Sequence, residues 1–235
     1  MKVDWESFKK HKSRPKKNQF PTGTRVYKGY QGKGKTLSLI HDVMQTKIEF
    51  PDCVIFSNVK FLRDNFDYNY FDDNLGLKKA LEFSNGSKGV LVVVDEAQLF
   101  FNKKDGISID VFTAICQQRK DRRRLVFTSQ IWEDLDISLR KQVKEIVCCN
   151  NILNGLIQIN DVKLGETLTY DKLKGEYVAE HSHYEIYKHN DELYRSYDTY
   201  QKIITNKEYN RVMTGGDATR PPVITLNNKL VKGIK

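Results

Sequence analysis

The segment Gly29-Tyr-Gln-Gly-Lys-Gly-Lys-Thr36 sets a glycine four residues ahead of Gly-Lys-Thr. Each fixed position answers a need of phosphate binding. Gly29 lets the chain turn sharply off a preceding strand, and Gly34 lets backbone N–H groups close on a β-phosphate with no side chain in the way. A helix starting here aims its free N–H groups at the anion. Lys35 bridges the β- and γ-phosphates, and the Thr36 hydroxyl ligates Mg²⁺. Tyr30, Gln31, Gly32 and Lys33 make up the rest of the loop, Lys33 adding a second cation, and Leu37 closes the set of nucleotide-binding candidates. The pattern predicts a site for ATP with Mg²⁺.

In an open α/β sheet, ligands bind at the carboxyl ends of the strands. The apolar run Leu91-Val-Val-Val94 ends in Asp95-Glu96, which would bring Asp95 beside the loop to hold Mg²⁺, commonly through water. Glu96 would polarise a water for in-line attack on the γ-phosphate; an acid at this place favours hydrolysis over a switch or a kinase. A second run, Leu125-Val-Phe-Thr-Ser129, ends at Gln130. On a strand lying between those that carry Gly29 and Asp95, Gln130 would touch the γ-phosphate or the attacking water. His181, His183 and His189 stand in a polar region at a spacing that reads as surface histidines rather than a metal site. Cys53, Cys116, Cys148 and Cys149 have no metal-ligand spacing either and read as reduced, buried thiols.

These groups need strands and helices to assemble them. Arg25–Lys28 reads as a strand. Leu37, Ile40, Met44 and Ile48 recur every three or four residues, which predicts a helix over 35–48. Cys53–Ser57 reads as a strand, 75–84 as a short helix, and Gly89–Val94 as a strand apolar enough to be covered on both faces. A helix over 108–121, the strand Leu125–Ser129, a helix over 134–145 and the strand Ile146–Cys149 follow. Strands alternating with helices predict an α/β fold with a mostly parallel sheet flanked by helices, and with the phosphate loop the arrangement resembles a P-loop NTPase (RecA/ASCE-like). After residue 150 short alternating segments appear, Leu156–Ile159 and Tyr184–Tyr187, with Gly155 ahead of them and Gly165 and Gly175 between them. They predict a β-rich C-terminal extension with an antiparallel edge. The expected organisation is a basic mobile arm over 1–20, an ATPase domain over 21–150, and the extension with a polar tail over 151–235.

The 235 residues, 39% hydrophobic and 29% charged, have a globular rather than a disordered composition. No apolar run approaches the ~18 residues of a membrane span, and the charged first residues lack the apolar core of a secretory signal. The net charge of +9 is unevenly spread. Residues 1–19 alone carry +5, and Arg119-Lys-Asp-Arg-Arg-Arg124 carries +4. Such clusters bind polyanions by releasing counterions, which makes Arg119, Lys120, Arg122, Arg123 and Arg124 the DNA-binding candidates.

In this order the residues resemble the FtsK/HerA group of P-loop ATPases. They are most similar to the ATPase domain of zonular-occludens-toxin (Zot)-like phage proteins and to the genome-packaging ATPases of membrane-containing icosahedral phages. The likeness is carried by Gly29–Thr36, Val54-Ile-Phe-Ser-Asn58, Val92–Gln98, Gln118–Arg124 leading into Thr128-Ser-Gln130, and Asp134 to Arg140, and covers about residues 23–150. It implies an ATP-hydrolysing DNA translocase, foremost a phage genome-packaging ATPase. A plasmid-transfer or phage-assembly ATPase, or a nucleotide-dependent virion switch with little turnover, are the alternatives. It also implies a homo-oligomeric, hexameric ring on double-stranded DNA, a capsid vertex or portal partner, and a place in the host cytoplasm or the virion. In such rings an arginine of one subunit reaches the neighbour's γ-phosphate; Arg140, then Arg119 and Arg122, are the candidates. Filamentous-phage proteins of this type carry a membrane span and a further domain after the ATPase domain. Neither is read here, which favours a packaging motor over anchored extrusion and leaves no basis for toxin activity.

Overall fold

The computed structural model describes residues 19–62, 67–173 and 175–198, all within one compact unit. In chain order they form β1 (Gly23–Lys28), α1 (Lys35–Glu49), β2 (Val54–Ser57), β3 (Asn69–Tyr70), α2 (Asn74–Glu82), β4 (Val90–Val94), α3 (Ile109–Cys116), β5 (Arg123–Ser129), α4 (Ile137–Arg140), β6 (Val143–Ile152), β7 (Ile157–Leu164), β8 (Thr169–Asp171), β9 (Glu176–Val178), β10 (His181–Lys188) and α5 (Asp191–Tyr194).

Eight strands make one sheet in the order β10-β7-β6-β1-β5-β4-β2-β3. The six from β6 to β3 run parallel, and β7 and β10 add an antiparallel edge. Alternation along the strands divides the core. Leu91 and Val93 of β4 and Val126 of β5 face Leu37, Leu39, Ile40 and Val43 of α1. Val90, Val92 and Val94, with Leu125 and Phe127, face the other way, toward Leu77 and Leu81 of α2, Ile115 of α3 and Leu139 of α4. With both faces covered, the central strands are apolar throughout. Beyond β10 the chain turns back across α1. Tyr197 bridges Phe61, Leu62 N–H donates to Ser196 O (2.9 Å) and Asp198 N–H donates to Lys60 O (3.0 Å), tying the last described residues to the segment after β2.

Several expectations change. Of the arm expected over 1–20, residues 1–18 lie outside the described residues, while Phe20 is buried and fills the space over Gly89. The helix expected over 108–121 ends at Cys116, where Gln118 is drawn into the core and donates to Thr24 Oγ1 (2.9 Å). The helix expected over 134–145 shrinks to α4, because Val143 already pairs with Thr24 as the first residue of β6. Among the cysteines Cys116 is exposed, and all four are free thiols.

The basic cluster is split by the start of β5. Arg123 and Arg124 are buried strand residues, not groups on a solvated face. Arg123 donates to Phe83 O (2.9 Å) and Ala114 O (3.3 Å) and pairs with Asp121 (3.4 Å). Arg124 pairs with Asp42 (3.0 Å) and donates to Thr46 Oγ1 (3.2 Å). Both guanidiniums are held inside the protein, which corrects their assignment as DNA contacts. Arg119 and Lys120 are exposed and Arg122 half-exposed.

Candidate active site

β1 delivers the chain to residues 29–34, and α1 starts at Lys35 with Gly34 at its N-cap. Gly34 holds φ +79°, and a Cβ there would sit 2.3 Å from Gln158 Oε1. A Cβ on Gly29 would come within 2.9 Å of Cys149 O on β6. Both glycines are therefore demanded by what lies behind the loop as well as by what lies before it. Tyr30, Gln31 and Gly32 are exposed, while Lys33 is half-buried. Lys35 Nζ donates back to Tyr30 O (3.2 Å), and burial lowers its pKa against the raising pull of Asp95, Cys149 and Glu96. Leu37 packs into the core under the loop.

β4, two strands from β1, ends at Val94 and is followed by Asp95. Its carboxylate accepts from Thr36 Oγ1 (3.1 and 3.2 Å to the two oxygens) and from Thr128 Oγ1 (2.6 Å). Asn58, just past β2, fixes the backbone on both sides: Asp95 N–H donates to Asn58 Oδ1 (2.7 Å), and Asn58 Nδ2 donates to Asp95 O (2.9 Å). Desolvation raises the Asp95 pKa, although the two hydroxyls and Lys35 pull it down. A cation at the Thr36–Asp95 junction would relieve that cost. A hydroxyl beside one carboxylate is the protein's usual share of a Mg²⁺ site that phosphate and water complete, so the residues fit the ion.

Glu96 stands in the left-handed region (φ 53°) with its N–H donating to Thr128 Oγ1 (2.8 Å). That conformation costs a non-glycine residue about 1–2 kcal/mol, and residues held so cluster at functional sites. Burial first, then the charge of Asp95, raises its pKa. Gln130 leaves the tip of β5, the strand between β1 and β4, and its Nε2 reaches Glu96 Oε1 at 3.5 Å. The structure thus gathers Lys35, Thr36, Asp95, Glu96 and Gln130 at one end of the sheet.

The arginines lie elsewhere. Arg119 and Arg122 precede β5, at its opposite end from Gln130; its seven residues put roughly 20 Å between them. Arg140 comes just before Val143, which pairs at the foot of β1, and its guanidinium lies over the Tyr177 ring at 5.5 Å. No candidate arginine stands beside the phosphate loop of its own chain.

A polar network behind the loop escaped the sequence reading. Gln158 Nε2 donates to Lys33 O (3.0 Å) and to Asn160 Oδ1 (3.0 Å). Asn160 Oδ1 also accepts from Ser38 Oγ (3.1 Å), itself the acceptor of Tyr187 OH (3.0 Å). His189, expected at the surface, is buried. With the Tyr194 hydroxyl donating to Nδ1 (2.7 Å), its Nε2–H donates to Gln158 Oε1 (3.0 Å). Asn151 Nδ2 adds a bond to Gly32 O (2.8 Å). The available signal was the sharp alternation of Ile157-Gln-Ile-Asn160, with the buried face being the polar one.

Among the described residues no helix is long and apolar enough to cross a membrane. The family model described as zonular occludens toxin (Zot) matches residues 24–201. No curated protein matches the chain. Among solved structures, the N-terminal domain of zonular occludens toxin from Neisseria meningitidis is 18% identical with a TM-score of 0.54, over 75% of this chain and 98% of that one. The genome packaging NTPase B204 from Sulfolobus turreted icosahedral virus 2, in complex with AMPPCP, is 15% identical with a TM-score of 0.47, over 71% and 97% of the two chains. The fold is that of a P-loop NTPase.

Proposed function

The chain belongs to the zonular occludens toxin family, and from that premise we propose that it is a Mg²⁺-dependent ATPase that moves double-stranded DNA, packaging a phage genome. The observation that carries the ATPase reading is the convergence of Thr36, Asp95 and Thr128 in one hydrogen-bonded set, with Lys35 on one side and the Glu96–Gln130 pair on the other. Backbone N–H groups of residues 32–36 and the Lys35 ammonium hold the β- and γ-phosphates. Thr36 and Asp95 would hold Mg²⁺, which when bound would offset the charge of the phosphates. Glu96 accepts a proton from the attacking water, and Gln130 orients that water or the γ-phosphate from β5.

DNA movement is supported by the net charge of +9 and by exposed Arg119 and Lys120 beside Arg122. The direct test is release of phosphate from ATP by the purified protein, with and without double-stranded DNA. Hydrolysis stimulated by DNA, and abolished in Lys35→Ala, is the expected result. Turnover undiminished in Lys35→Ala overturns the phosphate-loop assignment. Hydrolysis indifferent to DNA, with no DNA affinity at low salt, leaves an ATP-driven assembly switch in place of a translocase.

A further inference from the structure

β6 and β7 are joined by Leu153–Gly155, a turn at the same end of the sheet as the phosphate loop. In the order β7-β6-β1-β5-β4 the loop leaves β1, with the carboxylates and Gln130 to one side and this turn to the other. Two side chains brace the turn against the loop: Asn151 through Gly32 O and Gln158 through Lys33 O. On the proposed function, the γ-phosphate points at Glu96 and Gln130. The α-phosphate, ribose and base then leave the loop on the opposite flank, toward β6 and β7.

What meets them there is apolar. Ile152, Leu153 and Leu156 are 41%, 65% and 47% exposed. Leu153 also stands at φ 51°, where glycine or asparagine would rest without strain. A leucine kept both strained and wet on a tight turn gives up stability twice, and that pattern marks a surface with something to cover it.

We propose that Leu153 and Leu156 form the platform for the nucleobase, taking the flat face of a purine ring. The proposal rests on the ATPase reading of the same site and adds the residues that hold the half of the nucleotide which the phosphate loop does not touch. Aliphatic groups grip a ring face and ignore its exocyclic groups, so the platform favours purines over a bare polyphosphate and discriminates little between adenine and guanine.

The test compares Mg²⁺-dependent equilibrium binding of ATP, GTP and inorganic tripolyphosphate to the full chain and to Leu153→Gly/Leu156→Ala. Glycine relieves the positive φ and both side chains are exposed, so the variant should melt with the parent. ATP and GTP should each bind the variant about tenfold more weakly, while tripolyphosphate affinity stays the same; tenfold is about 1.4 kcal/mol. An unchanged ATP affinity, or an equal loss for tripolyphosphate, overturns the platform. A changed sedimentation mass with nucleotide affinity intact also overturns it, assigning the leucines to a contact between chains. Failure of the parent to bind either ATP or tripolyphosphate overturns the phosphate site itself.

Discussion

On the proposed function, Glu96 is the residue on which turnover would depend. Its left-handed backbone is held by the bond to Thr128, which also donates to Asp95. One threonine therefore fixes both the Asp95 carboxylate and the Glu96 backbone, the proposed metal ligand and the proposed base. Glu96→Gln keeps the size of the side chain and its approach to Gln130 but cannot take a proton. Turnover should fall about 10²–10⁴-fold, with ATP affinity retained in a filter-binding assay. Near-parental turnover would assign the water to another group. The hydroxyl at position 128 has a matching consequence: Thr128→Val removes both bonds at constant shape, so Mg²⁺ affinity in the presence of nucleotide should weaken along with turnover. Retention of both in that variant would separate Thr128 from the site.

At the scale of elements, β5 and β7 each put polar side chains where a strand is expected to be apolar. Arg123 is among the largest fully buried side chains, and its partners come from three different segments. Arg123→Ala leaves the Phe83 and Ala114 carbonyls without their donor, a loss of about 1–3 kcal/mol. Arg123→Ala should lose that much in urea unfolding, whereas Arg119→Ala, on an exposed side chain, should stay within about 0.5 kcal/mol. Equal losses would mean that the cluster is solvated after all. The parallel strands, the phosphate loop and the acids at the tip of β4 were legible in the sequence because their signals are local: a fixed spacing, an apolar run, a helical period. The position of Gln130 was legible too, since an apolar strand ended there. The burial of Arg123 and Arg124 was not, because their partners Phe83, Ala114, Asp42 and Thr46 lie on other elements. The inverted face of β7, with Gln158 and Asn160 inward, was hidden for the same reason. Alternation tells which residues share a face, and only the fold tells which face is covered.

At the scale of the whole molecule, one histidine joins the antiparallel edge to the phosphate-loop helix and a second sits within that edge. His41 of α1 stacks on Tyr187 of β10 (4.0 Å between centroids), and His189 bonds to Gln158. Burial lowers the pKa of both from 6.5. The unfolded chain then takes up protons before the folded one, so stability is complete above pH 6.5 and is lost as pH falls toward the lowered values. His41→Phe keeps a ring on Tyr187 and removes one of the two titrations, so its melting temperature should drop less than the parent's between about pH 7.5 and pH 5. Parallel pH curves for the two proteins would exclude His41 from the effect. In an assembly of several copies, Arg140 can serve only another chain's nucleotide. Arg140→Ala mixed with Lys35→Ala should regain part of the lost hydrolysis; no recovery at any ratio, with assembly verified by sedimentation, would exclude it. The braces behind the loop also set a clock for synthesis. Gly32 and Asn151 are 119 residues apart, and Lys33 and Gln158 are 125 apart. At about 5–20 residues per second a ribosome needs roughly 6–25 s after making the loop before it has made its supports. A nascent chain stalled before residue 151 carries the whole motif without either brace, and on the proposed function it should bind ATP more weakly than one extended through β7.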